Sequence, residues 1–307
     1  MIFEKIASLG DIFSYKRVKR RRKAEPHKFD ESPRWELRKR IVQYYQNKKI
    51  EDKSLKDAFK YIRSEGMAVF PYYFRENYNR RKVTVYQDEA SGMKYVKYKE
   101  KDLYFPVDMT DMDVQGAYAA LLVEQDRQSA HRYLTDTFDV NEDDILLDVG
   151  AAEGILSLDV VEKVKKIFLF EVEERWIKAL NKTFEPWKDK ITIVNKYVSN
   201  VNDDNSITLD SLIKSFGEGS IFLKLDVEGA EEKALEGAKE LLTSGEYKCK
   251  AAICTYHKQN DYEVLSKKMK DMSYEVETSD GYMLFVHDPN LDEPYFRHAL
   301  IRCRKKD

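Results

Sequence analysis

From Asp144 onward, short apolar runs alternate with longer segments of mixed apolar and polar residues. Apolar runs of this kind are typical of strands buried on both faces, and the mixed segments fit helices that cover a sheet. We predict strands at 145–150, 166–172, 191–198, 221–227, 250–256 and 274–278. We predict helices near 154–164, 174–184, 230–244 and 261–272. This alternation with short connections predicts an α/β fold with a mostly parallel sheet.

The two ends of the chain have different patterns. Residues 281–306 contain strand-like runs with no helix between them, which predicts an antiparallel pair closing one edge of the sheet. The N-terminal part favours helices, and Ser32-Pro33 is suited to the start of one of them. The predicted N-terminal helices lie at 32–46, 54–65 and about 112–126.

Between Lys82 and Pro106, β-branched and aromatic residues alternate with polar ones. Ser91-Gly92 interrupts this alternation as a turn would, so we expect an antiparallel hairpin followed by a third short strand. We therefore divide the chain into an N-terminal α+β accessory region, residues 1–110, and an α/β domain, residues 111–307.

Composition and charge narrow the class of protein. A chain of 307 residues with 42% hydrophobic residues can bury a full core, and its net charge of −2 gives no general attraction to nucleic acid. Three cysteines are too few for a disulfide framework, which favours buried thiols in a reducing compartment. No segment reaches the ~20 apolar residues of a transmembrane helix, so we expect a cytoplasmic protein.

A basic run, YKRVKRRRK, occupies Tyr15–Lys23 and follows a partly apolar segment. One interpretation is peripheral contact of residues 1–23 with an anionic membrane surface. The favoured interpretation is a solvated arm that leads into the fold.

Two features at the predicted strand ends suggest a nucleoside cofactor. Ligands of doubly wound sheets lie outside the carboxyl ends of the strands. The first end is DVGAAEG, in which Gly150 and Gly154 let the backbone approach a ligand closely and the helix start offers N–H groups. The second is Glu171, about 20 residues further on, where a carboxylate can accept hydrogen bonds from ribose hydroxyls.

The glycine loop differs from a dinucleotide-binding loop. In the nicotinamide fingerprint G-x-G-x-x-G, Ala152 would occupy the second glycine position, and Glu153 would place negative charge near the pyrophosphate. S-adenosylmethionine, which is cationic and carries no phosphate, suits the loop better. A nicotinamide-dependent dehydrogenase is the alternative.

Two further strand ends supply candidate catalytic groups. One carries Asp226 and Glu228 in LKLDVEGAE, and the other carries His257 in AICTYHK. If these strands are neighbours, His257 and Asp226 face one pocket, where His257 can act as general base and Asp226 can orient it or replace it. The alternatives are helix capping by Asp226, Glu228 and Glu231, and a packed histidine. A divalent metal held by Asp226, Glu228 and His257 is a further alternative that the spacing does not require.

Four motifs resemble those of the FkbM-type S-adenosylmethionine-dependent methyltransferases. They are DVGAAEG, the strand end FLFEVEE, TLDSL at 208–212 and LKLDVEGAEEKALEGAKELL, and they span roughly residues 140 to 270. The resemblance implies a class I methyltransferase, Rossmann-like fold with sheet order 3-2-1-4-5-7-6, and usually O-methylation of a sugar or another metabolite. Members of the family commonly have FEPNP where this chain has FEVEERW.

These observations lead to one set of site predictions. The predicted catalytic residues are His257, Asp226 and Glu228. The predicted cofactor contacts are Asp148, Gly150, Ala151, Ala152, Glu153, Gly154, Glu171, Val172, Val198, Ser199 and Asp226. We expect O-methyl transfer from S-adenosylmethionine to a hydroxyl of a glycan or glycan precursor, with the acceptor chosen by the N-terminal region. A methyltransferase-like domain that binds without turnover, positioning a partner glycosyltransferase, is the non-enzymatic alternative.

Overall fold

The structure is a computed structural model, and it describes residues 33–306. The basic run Tyr15–Lys23 lies outside the described residues. The described chain divides into two compact units that alternate along the sequence. The first contains 33–83, Gln115–Arg132 and Ser279–Ala299, and the second contains Thr84–Val114, Tyr133–Thr278 and 300–306. The sequence predicted one boundary after residue 110, whereas the chain enters each unit more than once. Within residues 33–306, no helix combines the length and hydrophobicity of a bilayer span.

The first unit begins with two helices, α1 (Pro33–Tyr45) and α2 (Lys53–Ser64), which confirms the predicted helices at 32–46 and 54–65. Asp52 starts α2, because its side chain accepts a hydrogen bond from the N–H of Leu55 at 2.8 Å. Both helices pack on a core that includes Ile41, Tyr45, Phe59, Ile62, Leu284, Tyr295 and Phe296. The segment 279–299 therefore completes this unit and lies outside the central sheet.

A small antiparallel sheet belongs to the second unit. Its strands are β1 (Tyr86–Gln87), β2 (Lys94–Tyr98) and β3 (Lys101–Phe105), in that spatial order. This confirms the predicted hairpin and third short strand. Ser91 and Gly92 lie in the wider connection between β1 and β2. The tight turn is at Lys99 and Glu100, whose φ values of +46° and +67° are those of a two-residue hairpin.

The central sheet has seven strands in the spatial order β11-β12-β10-β9-β4-β5-β6. Their bounds are β4 (Asp144–Val149), β5 (Lys166–Phe170), β6 (Ile191–Val194), β9 (Ser220–Leu225), β10 (Cys249–Cys254), β11 (Tyr274–Thr278) and β12 (Leu300–Lys305). Counted within this sheet alone, the order is 3-2-1-4-5-7-6, which confirms the class I methyltransferase arrangement. Only β12 runs antiparallel to its neighbours β10 and β11, as expected for the closing edge.

Helices connect these strands. Their bounds are α3 (Asp111–Glu124), α4 (Ile155–Val160), α5 (Glu174–Thr183), α6 (Ile213–Phe216), α7 (Glu231–Glu236), α8 (Lys239–Thr243) and α9 (Asp261–Asp271). All six residues of β4 are buried, so both faces of the sheet are covered. All three cysteines are buried thiols outside any disulfide, as predicted.

Two predicted elements are interrupted in the structure. The predicted strand 191–198 ends at Val194, and the residues beyond it form β7 (Tyr197–Val198), which pairs with β8 (Ser206–Ile207). The predicted helix 230–244 is divided at Gly237, where an added Cβ would lie 1.9 Å from the carbonyl oxygen of Ser199. Gly237 leaves room for the loop after β7, which lies directly against it.

Candidate cofactor and active site

The glycines of the loop after β4 provide space for the protein itself. Gly150 has φ +78°, and an added Cβ would lie 1.9 Å from the carbonyl oxygen of Asp226. At Gly154, an added Cβ would lie 2.8 Å from Leu180 and 2.9 Å from Phe184. The sequence predicted that these glycines make room for a cofactor. The structure adds a second reason, because Gly150 lets the ends of β4 and β9 meet and Gly154 lets α4 pack on α5. Contact of these glycines with a cofactor stays a prediction.

Backbone N–H groups of this loop are already engaged. The N–H groups of Gly150 and Ala151 both donate to the carbonyl oxygen of Phe170 at 3.1 Å. The N–H of Ala152 donates to Oε2 of Glu171 at 2.9 Å. These three N–H groups therefore have partners within the protein. The N–H groups of the helix start, which the sequence predicts as ligand contacts, belong to the residues that follow Gly154.

Glu171 organises the loops at the ends of β4 and β5. Its Oε1 accepts hydrogen bonds from the N–H groups of Val172 at 2.7 Å and Glu173 at 2.8 Å, in addition to the bond from Ala152. A carboxylate has about four acceptor positions, so about one remains for a ribose hydroxyl. The sequence predicts Glu171 as a ligand contact, and the structure adds this supporting role.

Glu153 has a buried carboxyl group beside Asp148 and Lys224. Burial raises the pKa of Glu153 to about 8, despite the opposing effect of Lys224. A carboxyl group with this pKa is mainly protonated at pH 7, in contrast to the negative charge that the sequence predicts. Among the described residues, Oε2 of Glu153 has no hydrogen-bond partner. A cation bound nearby would favour ionisation of this group.

Lys224 is a buried residue of the site that the sequence analysis did not assign. Its Nζ lies 3.0 Å from Oδ1 of Asp148 and donates to the carbonyl oxygen of Gly150. Burial opposes the charge, but the carboxylates of Asp148 and Asp226 raise the pKa of Lys224 above its usual value. The only sequence signal was one lysine inside the apolar run IFLKLDV. Asp148 also accepts a hydrogen bond from Oγ of Ser157 at 2.6 Å.

Two tyrosine hydroxyls hold the carboxylate of Asp226. Tyr133 Oη donates to Oδ2 at 2.9 Å, and Tyr256 Oη donates to Oδ1 at 3.1 Å. Asp226 is 8% exposed, so these hydrogen bonds replace most of its contact with water. Asp226 is thus part of a tyrosine network, and a different acid, Glu231, accepts the hydrogen bonds from the following loop. Neither tyrosine was predicted, because no residue spacing connects them to Asp226.

His257 lies between two carboxylates. Its Nε2 is 3.5 Å from Oδ1 of Asp226, and its Nδ1 is 2.9 Å from Oε1 of Glu231. Burial disfavours the charged imidazole, but Glu231, Asp226 and Glu228 together raise the pKa of His257 above its usual value. The structure thus brings His257 and Asp226 together at the carboxyl ends of β10 and β9.

Glu231, rather than Glu228, supplies the buried acid beside His257. Its Oε1 also accepts hydrogen bonds from the N–H groups of Val227 at 2.9 Å and Gly229 at 3.3 Å. Glu231 therefore performs the capping role considered in the sequence analysis. Glu228 is exposed and has φ +56°. The carboxylate of Glu228 also raises the pKa of His257, but by less than Glu231 and Asp226 do.

A group of possible metal ligands also differs from the predicted one. Ligand atoms of Asp226, Glu231 and His257, all buried, lie within 4.8 Å of one another. The sequence considered Glu228 in place of Glu231. Oε1 of Glu231 is already surrounded by two N–H donors and the imidazole. These contacts account for the cluster by hydrogen bonding and ion pairing alone.

The remaining predicted cofactor contacts are Val172, which follows β5, and Val198 and Ser199, which follow β6. Val198 is buried, and the N–H of Ser199 donates to the carbonyl oxygen of Ile207 at 2.9 Å. The segment Val198–Ser199 is held by its pairing with β8 and by the close contact of Ser199 with Gly237. Contact of Val198, Ser199 and Val172 with a cofactor stays a prediction.

Comparisons with known proteins agree with this architecture. Residues 203–276 match the family described as the methyltransferase FkbM domain, and this confirms the resemblance found in the motifs. The matched segment includes Asp226, Glu231 and His257. No curated protein matches the chain significantly.

Several solved methyltransferase structures are similar at low identity. The methyltransferase FkbM from Methylobacillus flagellatus KT is 16% identical with a TM-score of 0.45, over 62% of this chain and 54% of that one. The precorrin-6y C5,15-methyltransferase from Geobacter metallireducens GS-15 is 13% identical with a TM-score of 0.37, over 54% and 82%. An rRNA methylase from Streptococcus thermophilus is 13% identical with a TM-score of 0.37, over 55% and 90%. The chain thus spans about half the length of the Methylobacillus protein.

Proposed function

Because this chain contains an FkbM-type methyltransferase domain, we propose that it transfers the methyl group of S-adenosylmethionine to a hydroxyl oxygen of a glycan or glycan precursor. The observation that carries the proposal is the buried group of Asp226, His257 and Glu231. It lies at the carboxyl edge of the sheet, where ligands of this fold bind. The group combines a titratable nitrogen with two carboxylates that stabilise its charged form.

The residues around the glycine loop fit a cationic cofactor without phosphate. Glu153 provides a buried carboxyl oxygen with no partner among the described residues, and a sulfonium or ammonium group would ionise it. Glu171 retains about one acceptor position for ribose. The N–H groups of Gly150, Ala151 and Ala152 are engaged within the protein. S-adenosylmethionine would supply a methyl group that its sulfonium already activates, so the protein need not activate the donor.

The protein must then align an acceptor and remove its proton. A sugar hydroxyl is a poor nucleophile until a base takes its proton. When Nδ1 of His257 donates to Glu231, Nε2 carries the lone pair of the neutral ring. A proton accepted at Nε2 would face Oδ1 of Asp226 at 3.5 Å, which stabilises the resulting imidazolium. Tyr133 and Tyr256 hold Asp226 in place for this role.

Transfer of tritium from methyl-labelled S-adenosylmethionine to a soluble cell-envelope glycan tests the proposal. We expect the label in O-methyl monosaccharides after acid hydrolysis, because methyl ethers survive acid. Release of labelled methanol by mild alkali would instead identify a carboxylate acceptor and contradict the hydroxyl assignment. Binding of S-adenosylhomocysteine without any transfer would favour the non-catalytic alternative.

The role of His257 is tested with the same label. His257→Ala should lower the transfer rate by about a hundredfold, the usual contribution of a positioned base, while S-adenosylhomocysteine affinity stays near wild type. Full turnover by a folded His257→Ala variant would show that another group removes the proton.

A further inference from the structure

One carboxyl oxygen at the glycine loop is buried without a hydrogen-bond partner among residues 33–306. It is Oε2 of Glu153, a residue that lies between β4 and α4 and is 6% exposed. Buried side-chain oxygens nearly always have a partner in folded proteins, so this exception needs an explanation. The roles proposed above for His257 and Asp226 do not use it. Oε2 of Glu153 is therefore available to a ligand that binds at this loop.

Lys224 is the cation that faces Glu153, but its donors are directed to other atoms. Its Nζ lies 3.0 Å from Oδ1 of Asp148 and 3.4 Å from the carbonyl oxygen of Val149, and it donates to the carbonyl oxygen of Gly150. An ammonium group has three N–H donors, so these three acceptors account for all of them. Lys224 therefore attracts the carboxyl group of Glu153 through its charge and leaves Oε2 without a donor.

The charges that face Glu153 have a negative excess. They are the carboxylates of Asp148 and Asp226 and the ammonium group of Lys224. An ionised Glu153 would be the third carboxylate beside one ammonium group, in a place that is shielded from water. Burial and the two carboxylates raise the pKa of Glu153 to about 8, although its own backbone N–H and Lys224 lower it. A positive charge placed beside Oε2 would reverse this balance and favour the carboxylate.

We propose that Glu153 binds the positively charged part of S-adenosylmethionine as a carboxylate and releases its proton as the cofactor binds. This rests on the proposed function, which supplies the cofactor. The step is a proton exchange, in which the O–H bond of the carboxyl group breaks, water takes the proton and the cation replaces it. The ammonium and the sulfonium groups of the cofactor share the chemistry that Glu153 would recognise.

This exchange makes cofactor binding depend on pH. A pKa of about 8 keeps roughly nine-tenths of Glu153 protonated at pH 7, so binding of a cation should release close to one proton. At lower pH the proton competes more strongly with the cation, and the affinity falls. The affinity for S-adenosylmethionine should therefore rise roughly tenfold between pH 6.0 and 7.5 and level off above about pH 8. Glu153→Gln should lose this rise, because an amide does not titrate in this range.

Calorimetric titration of the full chain with S-adenosylmethionine at pH 7, in phosphate and in Tris buffer, tests the proposal. The two buffers have different heats of ionisation, so the two binding enthalpies together give the number of protons released. Wild type should release about one proton more than Glu153→Gln. Glu153→Gln should also bind the cofactor roughly tenfold more weakly at pH 8. Glu174→Gln is the matched control and should behave as wild type, because Glu174 is 67% exposed and pairs with Lys178 at the surface.

The same titration with S-adenosylhomocysteine identifies the cationic group. This ligand keeps the ammonium group and lacks the sulfonium. Proton release that depends on Glu153 with both ligands would assign the ammonium as the partner of Glu153. Release with S-adenosylmethionine alone would assign the sulfonium. In that case methyl transfer removes the charge beside Glu153, and the product should bind more weakly than the cofactor.

Equal proton release by wild type and Glu153→Gln would overturn the proposal, because Glu153 would then keep its proton. An unchanged affinity of the wild type between pH 6.0 and 7.5 would also overturn it. This second measurement needs no variant, so it decides the question even if Glu153→Gln does not fold. Cofactor binding with neither effect removes only this inference. Absence of binding of both ligands to the wild type contradicts the proposed function itself.

Discussion

Nδ1 of His257 lies 2.9 Å from Oε1 of Glu231, and both side chains are buried. The same carboxylate oxygen accepts hydrogen bonds from the backbone of the loop that follows Asp226. Glu231 therefore links the end of β10 to the end of β9 and sets the charge state of the histidine between them.

Glu231→Gln should lower the pKa of His257, because the substitution removes the opposite charge that favours the imidazolium. A general base acts in its neutral form, so the transfer rate of the wild type should rise with pH through a value above 6.5. In Glu231→Gln this rise should move to lower pH. Proton NMR titration of the histidine ring measures the pKa without an acceptor, with His257→Gln to assign the signal among five histidines.

Glu232→Gln is the control for this experiment. Glu232 pairs with Lys268 at 3.2 Å near the surface. Its substitution should leave the titration of His257 unchanged. An unchanged titration in Glu231→Gln would contradict the assigned role of Glu231.

Lys224→Met should destabilise the protein by about 3–5 kcal/mol, because it leaves Asp148 buried without its ion-pair partner. Urea denaturation measures the change in the free energy of unfolding. Lys267→Met is a matched comparison, since Lys267 pairs with Asp271 at 2.6 Å but is largely exposed. An exposed pair contributes little, so this variant should be close to wild type. Similar stabilities for the two variants would refute the structural importance of Lys224.

Gly150→Ala should disrupt the fold, because the new Cβ would overlap the carbonyl oxygen of Asp226. Gly217→Ala provides the control, since Gly217 has a similar φ of +82° but no atom within 4 Å of an added Cβ. Gly217→Ala should cost about 1–3 kcal/mol of conformational strain, because φ +82° with ψ −168° is a conformation that non-glycine residues rarely adopt. Thermal unfolding of both variants separates backbone strain from steric overlap. Equal melting temperatures would show that the two strand ends can move apart easily.

Glu171→Ala should weaken S-adenosylhomocysteine binding by roughly 10- to 100-fold. The substitution removes a ribose acceptor and also the bonds that order Ala152, Val172 and Glu173. Calorimetry on the folded variant measures the affinity. Glu174→Ala, which changes an exposed acid three positions away, should bind normally. Unchanged affinity in Glu171→Ala would remove this residue from the cofactor site.

Local sequence patterns were sufficient to predict most strands and helices. The apolar run of β4 and the amphipathic segment of α5 each have the period of the element they form. The strand order came from the resemblance of four motifs, and the structure confirms it. Interrupted elements were predicted less well, and the contact between Gly237 and Ser199 joins segments that are distant in the sequence.

Within the site, the sequence by itself determined which residues end neighbouring parallel strands, and so it identified Asp226, His257 and Glu171. Only the tertiary structure decided their partners. Tyr133 and Lys224 come to the site from separate elements. Glu231 lies beside His257, where Glu228 was expected. Contacts between strand ends depend on packing rather than on spacing in the chain. The protonation of Glu153 was decided in the same way, since burial by the surrounding fold raises its pKa and no local pattern encodes that burial.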